Sequence, residues 1–237
     1  MAGRPRSPRL RISSGAKPSA KVSHSFCARS AYLHPVPASL PFIEPCRPRP
    51  VKCLPRGDAW LHEPKLDGWR IQVVTVGSEI ALYSLNGRDL TQRFASVLGA
   101  VRKLPCKSVA LDCELVLMGP EGIDFYSLMK RTGENVALMA FDILELNGSD
   151  LRPLPLAARK IYLWKLLSRN KSSNLAVVPS FEDGEELMLA VMKHSLEGVV
   201  SKRRSAPYAS GSRPEWVKVK SPTWRQANKD RWELMHG

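Results

Sequence analysis

The amino-terminal part of the sequence lacks acidic residues, since none occurs before Glu44. The first thirty residues carry seven Lys and Arg side chains among Ser, Pro and Ala, with no apolar periodicity. This composition predicts a flexible basic arm over residues 1–40. An Arg- and Ser-rich start without acids is also typical of an organelle transit peptide, although prolines at positions 5, 8 and 18 disfavour its amphipathic helix.

The sequence also lacks long apolar runs and paired-cysteine motifs. No segment approaches the ~20 apolar residues of a membrane helix, which excludes a helical membrane-spanning protein. The five cysteines include no C-x-x-C pair and are odd in number. Zinc ribbons and disulfide frameworks are therefore disfavoured, and a reducing compartment is expected. Pairing or metal binding by Cys46 and Cys53 is the minor alternative.

Positive charge is in clear excess. Lys and Arg number 36 and Asp and Glu 22, which gives a formal net charge of +14. This balance favours polyanionic partners, with nucleic acid first and a membrane surface second. The hydrophobic content of 43% is that of a globular protein and excludes a mostly disordered chain.

Short strands and helices alternate after Trp60. Apolar and β-branched runs predict strands over 70–76, 79–84, 109–117, 136–144, 198–202 and 216–220. Apolar residues at helical spacing predict helices over 94–104, 156–167 and 187–194. Because the first two strands form a hairpin, the pattern favours an α+β fold with largely antiparallel sheets.

Lys65 lies in a segment of the pattern E-x-K-x-D-G-x-R, which runs from Glu63 to Arg70. The Asp67–Gly68 pair is typical of a sharp turn, which can present Lys65 at the mouth of a site. A lysine acts as a covalent nucleophile when its amine is deprotonated, which burial or a cationic neighbour favours. A surface lysine before an ordinary turn is the alternative.

Two later segments carry phosphate-binding candidates. Alternation along a strand places Lys218 and Lys220 on one face with Trp216, where two ammonium groups about 7 Å apart can grip a polyphosphate. A solvated basic face is the alternative for this strand. Asp112 with Glu114 suits Mg²⁺ or a ribose hydroxyl, or forms an exposed strand-end acid.

Two further residues allow a structural or a functional interpretation. Glu197, which comes shortly before an apolar pair, likewise suits Mg²⁺ or a ribose hydroxyl, as Glu114 does. The alternative is an exposed strand-end acid. Phe141 is a core aromatic or a side chain that stacks on a base.

The order of these segments is more specific than any one of them. They resemble the six collinear motifs of the covalent nucleotidyltransferases, which include ATP-dependent DNA ligases, RNA ligases and capping enzymes. Between Phe141 and Lys160, and between Lys202 and Lys220, the sequence is most similar to bacterial ATP-dependent DNA ligases, including the ligase part of end-joining enzymes. The resemblance covers roughly residues 40 to 220. The six segments are E-x-K-x-D-G-x-R from Glu63, Tyr83–Gly87, Leu111–Glu114, Phe141–Leu144, Glu197–Lys202 and Trp216–Lys220.

The resemblance implies an α+β nucleotidyltransferase domain, with antiparallel sheets flanked by helices and ATP between them. A lysine would attack the α-phosphate of ATP, AMP would move to the 5′-phosphate of a nick, and the 3′-hydroxyl would displace it. Implied cofactors are ATP and Mg²⁺ or Mn²⁺. The implied roles are adenylated nucleophile for Lys65, an adenine-side flank for Glu63, ribose or phosphate contact for Arg70, ribose or metal contact for Glu114, adenine stacking for Phe141, metal binding for Glu197, and phosphate contact for Lys202, Lys218 and Lys220.

Three departures from the family pattern stand out. Leu85 replaces the Arg of the family's S-R-N-G segment, and Arg88 is a candidate substitute for its DNA contact. Cys113 replaces the Gly of D-G-E. Only 17 residues follow Lys220, which is too few for the OB-fold that follows in the family. We therefore expect a basic arm over 1–40, an adenylation domain over 41–220 and a short tail over 221–237 without an OB-fold.

The sequence thus predicts a ligase adenylation core that acts on nicked or broken duplex DNA, in the bacterial cytoplasm at the nucleoid. One alternative is a degenerate nucleotide- or nucleic-acid-binding module without turnover. Another is a subunit that needs a separate OB-fold or end-joining protein as its partner. An RNA ligase or capping enzyme is a third, and organelle import is the alternative location.

Overall fold

The computed structural model describes residues 41–119, 122–123 and 136–227. The predicted basic arm over 1–40 lies outside the described residues, as does most of the predicted tail, residues 228–237. Among the described residues no helix is long and apolar enough to cross a membrane. The cysteines of this part of the chain, Cys46, Cys53, Cys106 and Cys113, are free thiols.

Strands dominate the described chain. They are β1 (Cys46–Pro50), β2 (Trp60–Lys65), β3 (Trp69–Val76), β4 (Glu79–Ser84), β5 (Ser108–Gly119), β6 (Gly122–Ile123), β7 (Val136–Leu146), β8 (Ser149–Asp150), β9 (Leu175–Val177), β10 (Gly198–Arg203) and β11 (Gly211–Lys220). The helices are a 3-10 turn (Ala95–Val97), α1 (Leu98–Val101), α2 (Leu156–Leu167), α3 (Gly184–Lys193) and α4 (Pro222–Ala227).

The larger sheet has the strand order β4-β3-β5-β7-β8, with β6 beside β5 and β9 beside β7. Its pairs are antiparallel except β7–β9. One face of the sheet packs against α1 and α2 in the main core, where Ile71 and Leu111 meet Leu163. Because side chains alternate along a strand, Arg70 and Glu114 belong to the opposite face.

The smaller sheet has the order β1-β11-β10-β2. Strand β1 pairs with β11 in parallel, and the other pairs are antiparallel. Helix α3 covers one face, where Leu187 and Val191 pack on Val199. Pro48 and Pro50 lie in β1 because an edge strand tolerates residues without an N–H donor. Two sheets flanked by helices confirm the α+β expectation.

The predicted helix over 94–104 is the main difference in secondary structure. The chain instead forms the 3-10 turn and the single turn of α1, and no side chain caps either one. Gly99 lowers helix propensity there, and Pro105 lacks an N–H donor. Phe94, Val97 and Leu104 are nevertheless buried, so their helical spacing reflects packing in the core rather than a long helix.

An internal ion pair fixes α2 to β7. The Nε and Nη2 atoms of Arg159 each donate to a carboxylate oxygen of Asp142 at 2.8 Å. Its Nη1 donates to the carbonyls of Leu154 at 2.6 Å and Ala206 at 3.1 Å. Both charged side chains are fully buried. The guanidinium thus satisfies a buried carboxylate and two backbone carbonyls at once.

We expect Arg159→Ala to lower the free energy of unfolding by about 3–5 kcal/mol, because it leaves Asp142 buried without its counter-charge. Urea unfolding followed by circular dichroism measures the loss. The control is Arg152→Ala, which breaks the exposed pair with Asp150 and should cost ~1 kcal/mol or less. Equal losses in the two variants would contradict the structural role of Arg159.

Candidate active site

The smaller sheet carries an array of charged side chains on the face turned away from α3. In antiparallel strands, directly opposed residues share a face, as do residues two apart along one strand. Three adjacent rows on this face are Trp216–Lys202–Leu61, Lys218–Val200–Glu63 and Lys220–Gly198–Lys65. The register therefore brings together five site residues predicted from three separate motifs.

The larger sheet supplies the opposite wall. Arg70 on β3 is paired with Glu114 on β5, and the Phe141 ring of β7 lies 6.1 Å from the Trp216 ring of β11. A cavity of about 390 Å³ lies between the sheets. The predicted site residues that line it are Glu63, Lys65, Arg70, Glu114, Phe141, Lys202 and Lys218. Glu197 and Lys220 are not part of its lining.

Lys65 is the last residue of β2, and three residues connect it to β3. A Cβ atom on Gly68 would lie 2.3 Å from the carbonyl oxygen of Leu115, so only glycine lets this connection pass so close to β5. The amine of Lys65 forms an ion pair with Oε2 of Glu197, and the Lys65 side chain is 22% exposed. Nζ of Lys220 lies 3.3 Å from Oε1 of the same carboxylate. Glu197 thus reaches the site through its contact with Lys65, and Lys220 through its contact with Glu197.

Glu63 lies at the centre of a buried cluster. Its Oε2 accepts a hydrogen bond from Nζ of Lys202 at 2.6 Å, and its Oε1 accepts one from the Ser180 hydroxyl at 3.1 Å. Oε1 also forms an ion pair with Lys160 on α2. Burial would raise the pKa of Glu63, but Lys160 and Lys202 hold it below its usual value. Glu63 is therefore an ionised link between the smaller sheet and the helix that packs on the larger one.

Lys202 is enclosed on several sides. Its Nζ lies 4.3 Å from the centroid of the Phe141 ring and 4.1 Å from that of Trp216, distances at which a cation is attracted to an aromatic face. Burial lowers the pKa of Lys202 to about 8. The amine lines the cavity, but it is engaged with Glu63 rather than directed freely at a phosphate.

Arg70 is positioned by a carboxylate of its own sheet. Nε and Nη2 of Arg70 donate to Asp112 at 2.9 and 2.7 Å, and the hydroxyl of Tyr208 donates to the same carboxylate at 2.6 Å. Burial disfavours the charged guanidinium, yet Asp112 raises the pKa of Arg70 above its usual value. The guanidinium carbon lies 5.2 Å from the centroid of the Phe141 ring. Arg70 is thus a fixed cation beside the predicted base-stacking residue.

Glu114 differs from the other acidic residues of the site in its pKa and in its contacts. Burial raises its pKa to about 7, with Lys65 and Arg70 acting in the opposite direction. Within the described residues, no hydrogen bond or salt bridge reaches its carboxylate. In the same part of the chain no group of three or more His, Cys, Asp or Glu could hold a metal ion. Glu114 is thus a largely buried carboxylate without a positively charged partner in the described part of the chain.

Lys218 is one of two cations in the cavity wall, the other being Arg47, that are left without a carboxylate partner among the described residues. Burial and the neighbouring charge of Lys65 lower the pKa of Lys218. An anionic group that entered the cavity would relieve both effects.

Two observations concern residues that the motifs left open or missed. Leu85 lines the cavity, whereas Arg88 is exposed and does not line it, so the cation absent at position 85 is not restored there by Arg88. The sequence motifs predict no role for Lys160, although it closes the Phe141–Lys160 stretch that resembles the ligases. Its partner Glu63 is nearly a hundred residues away, and no local pattern connects the two.

The sequence of this chain is similar to those of known proteins. The family model for the ATP-dependent DNA ligase domain matches residues 45–220. The multifunctional non-homologous end joining protein LigD of Pseudomonas aeruginosa is 34% identical over 172 residues, which is 70% of this chain and 20% of that protein. A probable DNA ligase of Nocardioides sp. is 33% identical over 190 residues, or 76% of this chain and 37% of that protein. The chain thus spans well under half the length of these relatives.

Solved structures show the same likeness. The ligase domain of Mycobacterium tuberculosis LigD aligns with a TM-score of 0.67 and 28% identity over 74% of this chain and 60% of that chain. A mycobacterial DNA ligase D complexed with ATP and MES aligns with a TM-score of 0.64 and 27% identity over 74% of this chain and 59% of that one. Because the family model matches most of the chain, including every described residue that lines the cavity, this chain belongs to the ATP-dependent DNA ligase family.

Proposed function

We propose that this chain is the adenylation core of a DNA ligase, in which Lys65 forms a covalent lysine–AMP intermediate. AMP then passes to the 5′-phosphate at a nick in duplex DNA, and the nick is sealed. One observation carries the proposal: the partly exposed side chain of Lys65 lies in the wall of a nucleotide-sized cavity, with its amine in contact with a carboxylate and near a second amine.

The cavity has an apolar wall and a cationic wall, which suit the base and the phosphates of a nucleotide. Phe141, Val178 and Val200 give it an apolar part, which suits a stacked base. Lys65 and Lys218 give it cations for the phosphates. Its volume of about 390 Å³ falls within the range of small-molecule sites.

The chemistry follows from the neighbours of Lys65. The amine must lose a proton before it attacks, and Glu197 is the carboxylate already in contact with it. A nitrogen–phosphorus bond then forms to the α-phosphorus, the bond to the bridging oxygen breaks, and pyrophosphate leaves with the electron pair. Lys218 and Arg70 would stabilise the charge that develops on the phosphoryl oxygens.

The second and third steps return Lys65 to its starting state. An oxygen of the 5′-phosphate attacks the α-phosphorus, and the nitrogen–phosphorus bond breaks as the amine regains a proton. The 3′-hydroxyl then attacks the 5′-phosphate and AMP leaves. The first step exchanges a phosphoanhydride for a phosphoramidate, the second exchanges that phosphoramidate for the phosphoanhydride of adenylated DNA, and the third exchanges this phosphoanhydride for a phosphodiester. Negative charge develops on phosphoryl oxygens in each step, so the same cations serve throughout.

A divalent metal ion fits the carboxylates that are present. Glu114 lacks a partner in the described structure and has a raised pKa, which a bound cation would reverse. We propose that Glu114 and Glu197 hold Mg²⁺ or Mn²⁺, together with phosphate oxygens and water. When bound, such an ion would neutralise charge on the phosphates.

We expect Lys65→Arg to lower covalent labelling by α-labelled ATP at least ~1000-fold, because a guanidinium stays protonated and is a poor nucleophile. The substitution keeps the positive charge beside Glu197, so the fold should survive. Protein-bound label after denaturation is the measurement, and Lys193→Arg on the exposed end of α3 is the matched control.

Label that persists in Lys65→Arg would contradict the assignment of the nucleophile. Nucleotide binding without any label in the wild-type protein would instead support a binding module without turnover. Label without sealing of a nicked duplex would support adenylation by this chain and the need for a separate OB-fold or end-joining partner.

The raised pKa of Glu114 predicts a pH-dependent stability. Between its ordinary value of 4.5 and about 7, the folded state holds a proton that the unfolded state has lost. The free energy of unfolding should therefore fall as pH rises through this window. We expect Glu114→Gln to remove this fall, so that the variant gains ~1–3 kcal/mol over wild type at pH 8 and little at pH 4.5.

Urea unfolding at the two pH values tests this, with the substitution of the exposed Glu79 at the start of β4, Glu79→Gln, as the control. Adding Mg²⁺ at pH 8 should stabilise the wild-type protein more than Glu114→Gln, because the ion favours the ionised carboxylate. A gain that is the same at both pH values would contradict the buried-carboxylate account. Equal stabilisation by Mg²⁺ would contradict a metal site at Glu114.

A further inference from the structure

A hydrogen-bond network connects the backbone of β1 to the cavity through the hydroxyl of Tyr208. The N–H of Cys46 donates to this hydroxyl at 3.0 Å, and the hydroxyl donates to Oδ2 of Asp112 at 2.6 Å. Arg70 donates to the same carboxylate from Nε and Nη2. Tyr208 lies in the connection between β10 and β11 of the smaller sheet, whereas Asp112 and Arg70 belong to the larger sheet. The network therefore crosses from one sheet to the other.

The direction of these hydrogen bonds follows from their donors. A tyrosine hydroxyl has one proton, and its oxygen can accept as well as donate. Since the N–H of Cys46 can only donate, the hydroxyl accepts there and directs its own proton to Asp112. Cys46, Asp112 and Tyr208 are all buried, so water has little access to take the place of the hydroxyl. Tyr208 is thus a fixed neutral donor to one oxygen of the Asp112 carboxylate.

Asp112 uses only part of the donor capacity of Arg70. A guanidinium carries five N–H donors in one plane, and the carboxylate accepts one from Nε and one from Nη2. This guanidinium makes no other hydrogen bond to the described residues. Because Arg70 lines the cavity, three donors remain for a ligand there. The guanidinium is planar and rigid, so the orientation of Asp112 also sets the plane of these three donors.

The ring of Tyr208 makes contacts that do not involve the hydroxyl. It packs edge-on against Trp216 at 5.8 Å, and Trp216 packs edge-on against Phe141 at 6.1 Å. The guanidinium carbon of Arg159 lies 5.8 Å from the centroid of the Tyr208 ring. A phenylalanine at this position would keep these contacts. The effect of the hydroxyl can therefore be measured separately from the packing of the ring.

We propose that Tyr208 is a positioning residue of the adenylation step, which acts through Asp112 to orient the Arg70 guanidinium toward the phosphoryl oxygens of ATP. This inference rests on the proposed function. Without the hydroxyl, Oδ2 of Asp112 loses a donor that its buried surroundings do not replace. The carboxylate then turns more freely about its Cβ–Cγ bond, and Arg70 follows it. A misplacement of roughly 1 Å at a reacting centre can lower the rate about 100-fold.

The test begins with Tyr208→Phe, which removes the hydroxyl and keeps the ring. The matched control is Tyr162→Phe, which removes an exposed hydroxyl from α2. Single-turnover formation of lysine–AMP is followed over a range of ATP concentrations. We expect the rate at saturating ATP to fall at least ~10-fold in Tyr208→Phe, while the half-saturating ATP concentration changes less than about threefold. The control should match the wild-type protein in both values.

A double-mutant cycle separates positioning from a general structural effect. If the hydroxyl acts through Arg70, its loss matters less once Arg70→Lys has removed the planar guanidinium. We expect Tyr208→Phe to slow lysine–AMP formation less than about threefold in that background. The same fold-loss in the wild-type and Arg70→Lys backgrounds would overturn the proposal, because the hydroxyl would then act independently of Arg70.

A second readout needs no ATP. The side-chain Nε–H signal of Arg70, assigned by its absence from Arg70→Lys, reports the mobility of the guanidinium in ¹H–¹⁵N NMR spectra. We expect its order parameter to fall below about 0.6 in Tyr208→Phe, which is the range of flexible groups. The signal of Arg159 should not change, because its Nε donates to Asp142.

The two readouts distinguish the possible failures. An unchanged Arg70 signal in Tyr208→Phe would overturn the proposal, as would a mobile Arg70 with an unchanged rate of lysine–AMP formation. A wild-type chain that formed no lysine–AMP would contradict the proposed function and this inference with it. The Arg70 signal would then still show whether the hydroxyl of Tyr208 orients the guanidinium.

Discussion

The structure depends on the carboxylate of Glu63. It joins Lys202 on β10, Lys160 on α2 and Ser180 through contacts that are largely shielded from water. Because α2 packs on the larger sheet and Glu63 and Lys202 belong to the smaller one, this contact ties the two layers together. One negative charge between two ammonium groups leaves an excess of positive charge in the wall. That excess favours a phosphate-bearing ligand over a neutral one.

The cations of the cavity are not equally available. Arg70 and Lys202 are each held by a carboxylate and shape the site, whereas Lys218 has no such partner in the described chain. Lys65 is paired with Glu197, so the proposed attack would require that this ion pair separates as a nucleotide enters. In the proposed metal site, the same event would free Glu197 to bind a metal ion together with Glu114. Nucleotide binding would then exchange internal ion pairs for contacts to phosphate.

Much of this arrangement could be predicted from sequence. The β-branched runs place β3, β4 and β10 within about a residue, and alternation on β11 puts Trp216, Lys218 and Lys220 on the face that the register shows. Strand β1 and its parallel pairing could not be predicted, because the segment has two prolines and its partner lies far away in sequence. The prediction of a helix over 94–104 was wrong because buried positions at helical spacing do not require a helix. Lys160 was missed since its contact with Glu63 is purely tertiary.

The proposed function requires that the cavity receives ATP with its α-phosphate at Lys65. The most direct test is a crystal structure with an ATP analogue whose α–β bridge cannot be cleaved. We expect the base against Phe141, the α-phosphorus about 3–3.5 Å from Nζ of Lys65, and the Lys65–Glu197 ion pair separated. A nucleotide bound away from Phe141, with Lys65 still paired to Glu197, would contradict the proposed function.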